Sequence, residues 1–261
     1  MLWVVQTQTT GTEQTMSDMK NKVAIVTGAS RGIGAAIAER LSHDGFTIIV
    51  NYAGNAALAD AVVNKIEASG GIARAAQADV ADPAAVKRMF DAAEDAFGGV
   101  DVLVNNAGIM TLSPLATTED VDFDKLVSVN LKGTFNTMRE AGKRLRDNGR
   151  IINFSTTVVG LKLENYGVYA ATKAAVETLT AIMTKEMRGR NISVNAIAPG
   201  PTATDLFLDG KSEELVARMA KMSPLERLGT PEDIAGVVAF LAGPDGAWVN
   251  GQILRANGGI I

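Results

Sequence analysis

Short β-branched runs alternate with helix-length segments from residue 22 to the C-terminus, and few folds accommodate that rhythm. Strands are expected at Val23–Val26, Phe46–Val50, Ile72–Ala76, Val100–Val104, Ile151–Phe154, Ile192–Ile197 and Gln252–Leu254. Their near-continuous hydrophobicity predicts burial on both faces, as parallel strands covered by helices require. Helices are expected over Ile33–Ser42, Ala56–Ser69, Pro83–Phe97, Asp120–Leu145, Tyr166–Arg188 and Pro231–Leu241. Asp82 ahead of Pro83 reads as a cap, and Gly70-Gly71 and Gly98-Gly99 read as stops. Strand–helix repetition with right-handed crossovers gives an α/β fold, a doubly wound parallel sheet of about seven strands with helices on both faces. The chain shows no linker or repeat, so residues 20–261 are read as a single domain. The 47% of hydrophobic residues among 261 is ample for its core.

Two segments break the rhythm. Residues 202–230 carry a helical piece at Ser212–Met222 between the breakers Gly210, Pro224 and Gly229. They follow the carboxyl end of a strand, where open α/β sheets bind ligands, and are read as a substrate lid. Residues 1–19 hold one apolar patch, Leu2–Val5, then Gln/Thr-rich sequence. That lacks the basic start and long apolar middle of a signal peptide, so a flexible extension is expected.

Directly after the first strand comes Thr27-Gly-Ala-Ser-Arg-Gly-Ile-Gly34, and then a helix. Gly28, Gly32 and Gly34 allow a sharp turn and close approach of backbone to a ligand, while the helix start offers free N–H groups to an anion. The spacing is G-x-x-x-G-x-G, and a glycine turn alone is also what ordinary strand–helix connections use. Its place after the first strand makes a pyrophosphate cradle, with Ser30, Arg31 and Ile33 inside it, the stronger reading. At the end of the second strand stand Asn51 and Tyr52, where NAD-binding proteins carry an acidic residue for the ribose. Lack of a carboxylate there admits a 2′-phosphate, which Arg31 could pair by a charge-assisted fork; otherwise Arg31 is a solvated side chain. NADP(H) is the expected cofactor.

Composition removes several alternatives. The formal charge of −4 and the lack of a Lys/Arg run leave no basic field for nucleic acid or an anionic membrane. No apolar run approaches a membrane span. With no cysteine and a single histidine, His43, there is no material for a thiolate metal site, a cysteine nucleophile or a His-based triad. No metal is expected, and the cytoplasm is the default compartment.

Further motifs follow in order on the expected strand ends. They are Asp79-Val80, Asn105-Asn106-Ala107-Gly108, Asn130, Tyr169-Ala-Ala-Thr-Lys173, Pro199-Gly200 with Thr202, Asn250-Gly251-Gln252 and Gly258-Gly259. With the glycine turn, this set resembles the short-chain dehydrogenase/reductase family over residues 20–261, nearest to bacterial 3-oxoacyl-carrier-protein reductase-like and carbonyl-reductase-like members. The resemblance implies a Rossmann-type sheet, a small carbonyl or alcohol substrate and a homotetramer or homodimer. It assigns Asp79 and Val80 to the adenine, Asn106, Ala107 and Gly108 to the adenine–ribose region, and Pro199, Gly200 and Thr202 to the nicotinamide and diphosphate. Tyr169 would exchange a proton with the substrate oxygen, Lys173 would hold the ribose and steady the phenolate, and Asn130 would anchor a water.

Tyr169 and Lys173 share a helix face, four residues apart. An ammonium about 4 Å from the phenol is worth about 4 kcal/mol at an effective dielectric of about 20, enough to bring a pKa near 10 close to neutrality, less the lysine's own desolvation. Taken alone, the pair reads as a packed tyrosine beside a surface lysine. The family's serine stands thirteen positions before the tyrosine; here that position holds Thr156, with Ser155 and Thr157 as neighbours. Spacing ranks Thr156 first, Ser155 second and Thr157 third. Three activities remain open: reduction of 3-oxoacyl thioesters or small ketones, oxidation of sugars or polyols, and catalytically silent cofactor binding.

Overall fold

The computed structural model describes residues 22–261, so the extension expected over residues 1–19 lies outside the described residues. Seven strands form one sheet: β1 Val23–Val26, β2 Thr47–Tyr52, β3 Ile72–Gln77, β4 Val100–Asn105, β5 Leu145–Phe154, β6 Ser193–Pro199 and β7 Ile253–Ala256. Their spatial order is β3-β2-β1-β4-β5-β6-β7 and every pairing is parallel. The helices are α1 Gly32–His43, α2 Ala56–Ala68, α3 Pro83–Phe97, α4 Asp120–Leu126, α5 Thr134–Arg144, α6 Val158–Leu161, α7 Gly167–Glu186, α8 Asp205–Leu208, α9 Glu213–Ala220 and α10 Pro231–Ala242.

The period of two in a strand sends alternate residues of β1 into two separate cores. Ala24 and Val26 join Ile37 and Leu41 of α1, Val62 of α2 and Val238 of α10 on one face. Val23 and Ile25 join Phe90 of α3, Met138 of α5 and Met183 of α7 on the other. Burial on both faces therefore holds for the central strands. It fails for β3 and β7, where Ile72 and Ile253 are exposed, because these are the sheet's edges. Asp82 caps α3 by accepting the Ala84 N–H at 2.8 Å, and Thr230 with Asp233 forms a reciprocal capping box on α10.

One expected element divides. The helix expected over Asp120–Leu145 is α4, then a π-helical stretch Val127–Gly133, then α5, and Leu145 already belongs to β5. Hydrophobic periodicity cannot register this, because a π turn leaves the sequence pattern nearly helical while displacing one side chain. β5 also begins six residues earlier than Ile151, its polar first half pairing through Val100 and Leu145 before the register shifts. Among the described residues no helix is long and apolar enough to cross a membrane.

Candidate active site

The chain runs outward from β1 through β2 to β3 and then returns to β4 beside β1. The connections after β1 and β4 therefore part at their carboxyl ends and leave a crevice, the usual ligand position of an open parallel sheet. Thr27–Gly34 forms one lip. Gly28 has φ +61°, and a Cβ there would stand 3.0 Å from the Ala107 backbone of the opposite lip. Asn106 ties the lips together, its amide donating to the carbonyls of Thr27 (2.9 Å) and Gly28 (3.1 Å). The Thr27 hydroxyl accepts the Ala107 N–H at 3.0 Å. Arg31 precedes α1 with an extended backbone, and no side chain caps that helix. Glycines that admit close backbone approach, next to an uncapped helix start, fit a pyrophosphate.

Asn51 lies behind this lip. It is buried, accepts the Gly28 N–H at 3.2 Å and donates to the carbonyls of Ala76 and Ala78 at 3.1 and 3.0 Å. Its amide thus joins the glycine turn to the end of β3. Tyr52 is half-buried, Arg31 is exposed and Ser30 is half-buried. Asp79 is exposed past β3 and accepts the Ala81 N–H at 2.9 Å, while Val80 is buried where Gly133 approaches it.

Beyond the crevice, α7 carries Tyr169 and Lys173, with Tyr166 just before its first residue, toward the ends of β4 and β5. Lys173 is buried and donates to the Phe154 carbonyl at 2.9 Å. Asn130, wholly buried in the π-helical stretch, accepts the Ile109 N–H and donates to the Ile109 carbonyl, both at 2.9 Å. Three successive hydroxyls follow β5 and take different directions. Ser155 donates to Glu177 Oε1 of α7 at 2.5 Å, Thr157 donates to the Ala198 carbonyl at 3.2 Å, and the Thr156 hydroxyl lies against the Tyr169 phenol. The Ser155 hydroxyl is thus engaged by α7, while that of Thr156 faces the phenol.

The electrostatics overturn one expectation. Burial pushes the Tyr169 phenol up to about 12; the Thr156 hydroxyl acts the other way, and the neighbouring Tyr166 adds to the rise. In the cofactor-free site Lys173 does not offset that rise: one of its donors goes to the Phe154 carbonyl, and burial lowers the ammonium itself to about 8. Burial of the phenol itself is the larger effect.

Holding Lys173 charged in this setting costs the cofactor-free protein on the order of 3 kcal/mol at neutral pH. Between pH 8 and 10.5 the unfolded chain keeps the proton that the folded one has lost, so stability rises with pH across that window. Lys173→Met is expected to raise the unfolding free energy at pH 7 and to abolish the rise between pH 8 and 10.5. Denaturant titrations at pH 7 and 10 check both; a variant less stable than the parent at pH 7 contradicts the argument.

Several site features carry no spacing signature. Thr137, Asn105, Asn153 and Thr180 form a buried hydrogen-bonded row across β4 and β5, at 2.6, 2.8 and 2.8 Å. Tyr166 stands edge-on to Tyr169 with ring centroids 6.3 Å apart. Glu177 is the only carboxylate between Glu164 and Glu186, and an acid in the middle of that stretch was a usable signal. Thr156, Tyr166, Tyr169 and Lys173 bound a cleft that also takes in Ile33, Gly108, Pro199, Gly200 and Thr202. Leu206 and Phe207 of α8, Met219 of α9 and Met222 close its outer side, and Leu208 faces the adjoining depression beside Arg31.

A parallel sheet with a glycine-lined crevice at its reversal, opening on a buried tyrosine–lysine pair, defines a dinucleotide-dependent oxidoreductase. The sequence model of the family described as enoyl-(acyl carrier protein) reductase matches residues 28–261. A short-chain type dehydrogenase/reductase of Picea abies is 47% identical over 248 residues, covering 91% of this chain and 92% of that one. An NADPH-dependent aldehyde reductase-like protein of Arabidopsis thaliana, named as chloroplastic, is 46% identical over 93% of this chain and 95% of its own. A Burkholderia cenocepacia short-chain dehydrogenase solved in complex with NADP superposes with a TM-score of 0.87 at 38% identity, over 93% of this chain and 98% of that one. The chain belongs to the short-chain dehydrogenase/reductase family.

Proposed function

We propose that this protein is an NADP(H)-dependent reductase of ketones, aldehydes or 3-oxoacyl thioesters, with Tyr169 as the general acid. The observation that carries the reading is the convergence of Thr156, Tyr169 and Lys173 at the end of the glycine crevice. The bound nicotinamide would supply the hydride and its electron pair. The substrate carbon gains the new C–H bond as the C=O π bond breaks, and the oxygen takes the Tyr169 proton, which solvent restores. A phenol that burial holds near 12 keeps its proton throughout the neutral range and is poised to donate. Thr156 would donate a hydrogen bond to the same oxygen, and Lys173 would reach the ribose. Asn130 would hold the loop at Ile109 and Gly108 that bounds the site.

NADP(H) rather than NAD(H) is supported by the absence of a carboxylate at the end of β2, by the exposed Arg31 at the glycine turn, and by the names of relatives that use or hold the phosphorylated cofactor. Specificity constants are expected to favour NADPH by at least about tenfold, equivalent to about 1.4 kcal/mol, and Arg31→Ala should erode that ratio chiefly by weakening NADPH. Steady-state kinetics with both cofactors and a common carbonyl substrate test this; equal constants contradict it.

The same reading has the protein assemble as a dimer or tetramer. Val121, Phe123, Phe135 and Ile182 leave apolar surface exposed on α4, α5 and α7. Light scattering in dilute solution should give at least twice 27.3 kDa.

A further inference from the structure

We infer that the substrate is a free, uncharged, apolar aldehyde or ketone with a body at least the size of an aromatic ring, and neither a polyol nor an acyl group presented by a carrier protein. The inference rests on the reading above and narrows it. Outside the polar group formed by Thr156, Tyr169 and Lys173, the side chains of Asn106, Ser155, Thr157, Thr202 and Thr204 are each hydrogen-bonded within the chain, and the wall left to a substrate is largely apolar: Ile109, Met110, Leu163, Phe207, Met219 and Met222. They come from three separate segments: the loop after β4, the connection between α6 and α7, and the lid. Tyr166 adds one polar tip, a phenol that burial pushes up and so keeps neutral. A polyol in such walls would leave hydroxyls without partners, a heavy loss for each.

Three further observations agree. Leu206 is 52% exposed and Met222 40% exposed where they meet the opening, apolar surface that no described element covers and that a hydrophobic body would. Thioethers at Met110, Met219 and Met222 adapt to varied apolar shapes. The charged groups stand apart in the adjoining depression, Arg31 and Lys211 against Asp205 and Asp209. Two cations facing two carboxylates give an acidic carrier protein no net attraction.

The test measures kcat/KM with NADPH for propanal, hexanal, octanal, benzaldehyde and 2-naphthaldehyde, against glyceraldehyde, 4-carboxybenzaldehyde and acetoacetyl acyl carrier protein. Calorimetry of the cofactor-free protein with the corresponding straight-chain alcohols adds a readout independent of turnover. Specificity constants and alcohol affinities are expected to rise about fourfold per methylene, the ratio given by about 0.8 kcal/mol per buried CH₂. The carboxylate of 4-carboxybenzaldehyde should cost at least about a hundredfold relative to benzaldehyde, and Met219→Lys should recover at least tenfold of that loss. Glyceraldehyde, 4-carboxybenzaldehyde or the carrier-bound thioester matching the apolar series would overturn the inference and leave the reductase standing. An unchanged discrimination in Met219→Lys would also overturn it. If nothing on either side of the panel is reduced although NADPH binds, the reductase reading falls as well.

Discussion

Tyr169→Phe is expected to cut turnover by at least about a hundredfold while leaving NADPH affinity within about a factor of two. The substitution deletes the transferable proton and keeps the ring, and one positioned acid–base group contributes roughly 10² to 10⁴ in rate. The edge-on packing of Tyr166 against the ring survives, so the loss should fall on kcat and not on folding. The raised phenol also fixes the pH behaviour. With the phenol near 12 the proton-bearing form dominates from pH 6 to 9, so reduction should show no fall across that range through ionisation of this group. Rapid-mixing single turnovers together with equilibrium fluorescence titration of NADPH separate chemistry from binding. A phenylalanine variant that keeps more than about a hundredth of the parental rate removes Tyr169 from its role.

The second large effect belongs to Thr156. Thr156→Val preserves shape and deletes the hydroxyl beside the phenol, and loss of one donor aimed at a developing oxyanion costs about 10² to 10³ in turnover. Ser155→Ala should behave differently, because that hydroxyl points to Glu177 and holds β5 to α7. Removing it leaves a partly buried carboxylate short of a partner, a penalty of about 1–3 kcal/mol in stability, with a smaller effect on turnover. Measuring kcat and unfolding free energy for both variants distinguishes a chemical from a structural hydroxyl. The opposite pattern, with Thr156→Val active and Ser155→Ala inert though folded, gives the role to Ser155.

The sheet was legible in the sequence because burial on two faces writes itself as uninterrupted Val/Ile runs, and caps such as Asp82-Pro83 are local. β1 and β4 match the expected positions to within a residue. What escaped was decided across the chain. The polar start of β5, Arg146-Asp-Asn-Gly149, reads as a loop and becomes strand only because Val100 is there to pair with Leu145. The edge exposure of β3 depends on its place in the sheet, which no stretch of six residues reveals. Within the site, spacing brought Thr156, Tyr169 and Lys173 to one cleft, since a helix turn and a strand end have fixed geometry. Spacing could not show that Asn51 faces inward, because its partners at Ala76 and Ala78 lie about 25 residues further along the chain. Nor could it weigh burial against an ammonium, a balance set by depth.

The amide of Asn130 has a consequence of a different kind. By receiving the Ile109 N–H and donating to the Ile109 carbonyl, it copies the two bonds that a neighbouring β-strand would make, where no strand exists. The loop after β4 is thereby anchored through main-chain atoms common to every amino acid. Ile109 and Met110 can change identity without the loop losing its place, so the wall facing the substrate is interchangeable while its foundation stays constant. Such an arrangement lets one scaffold acquire new substrates by altering a few side chains, with no new means of support required each time.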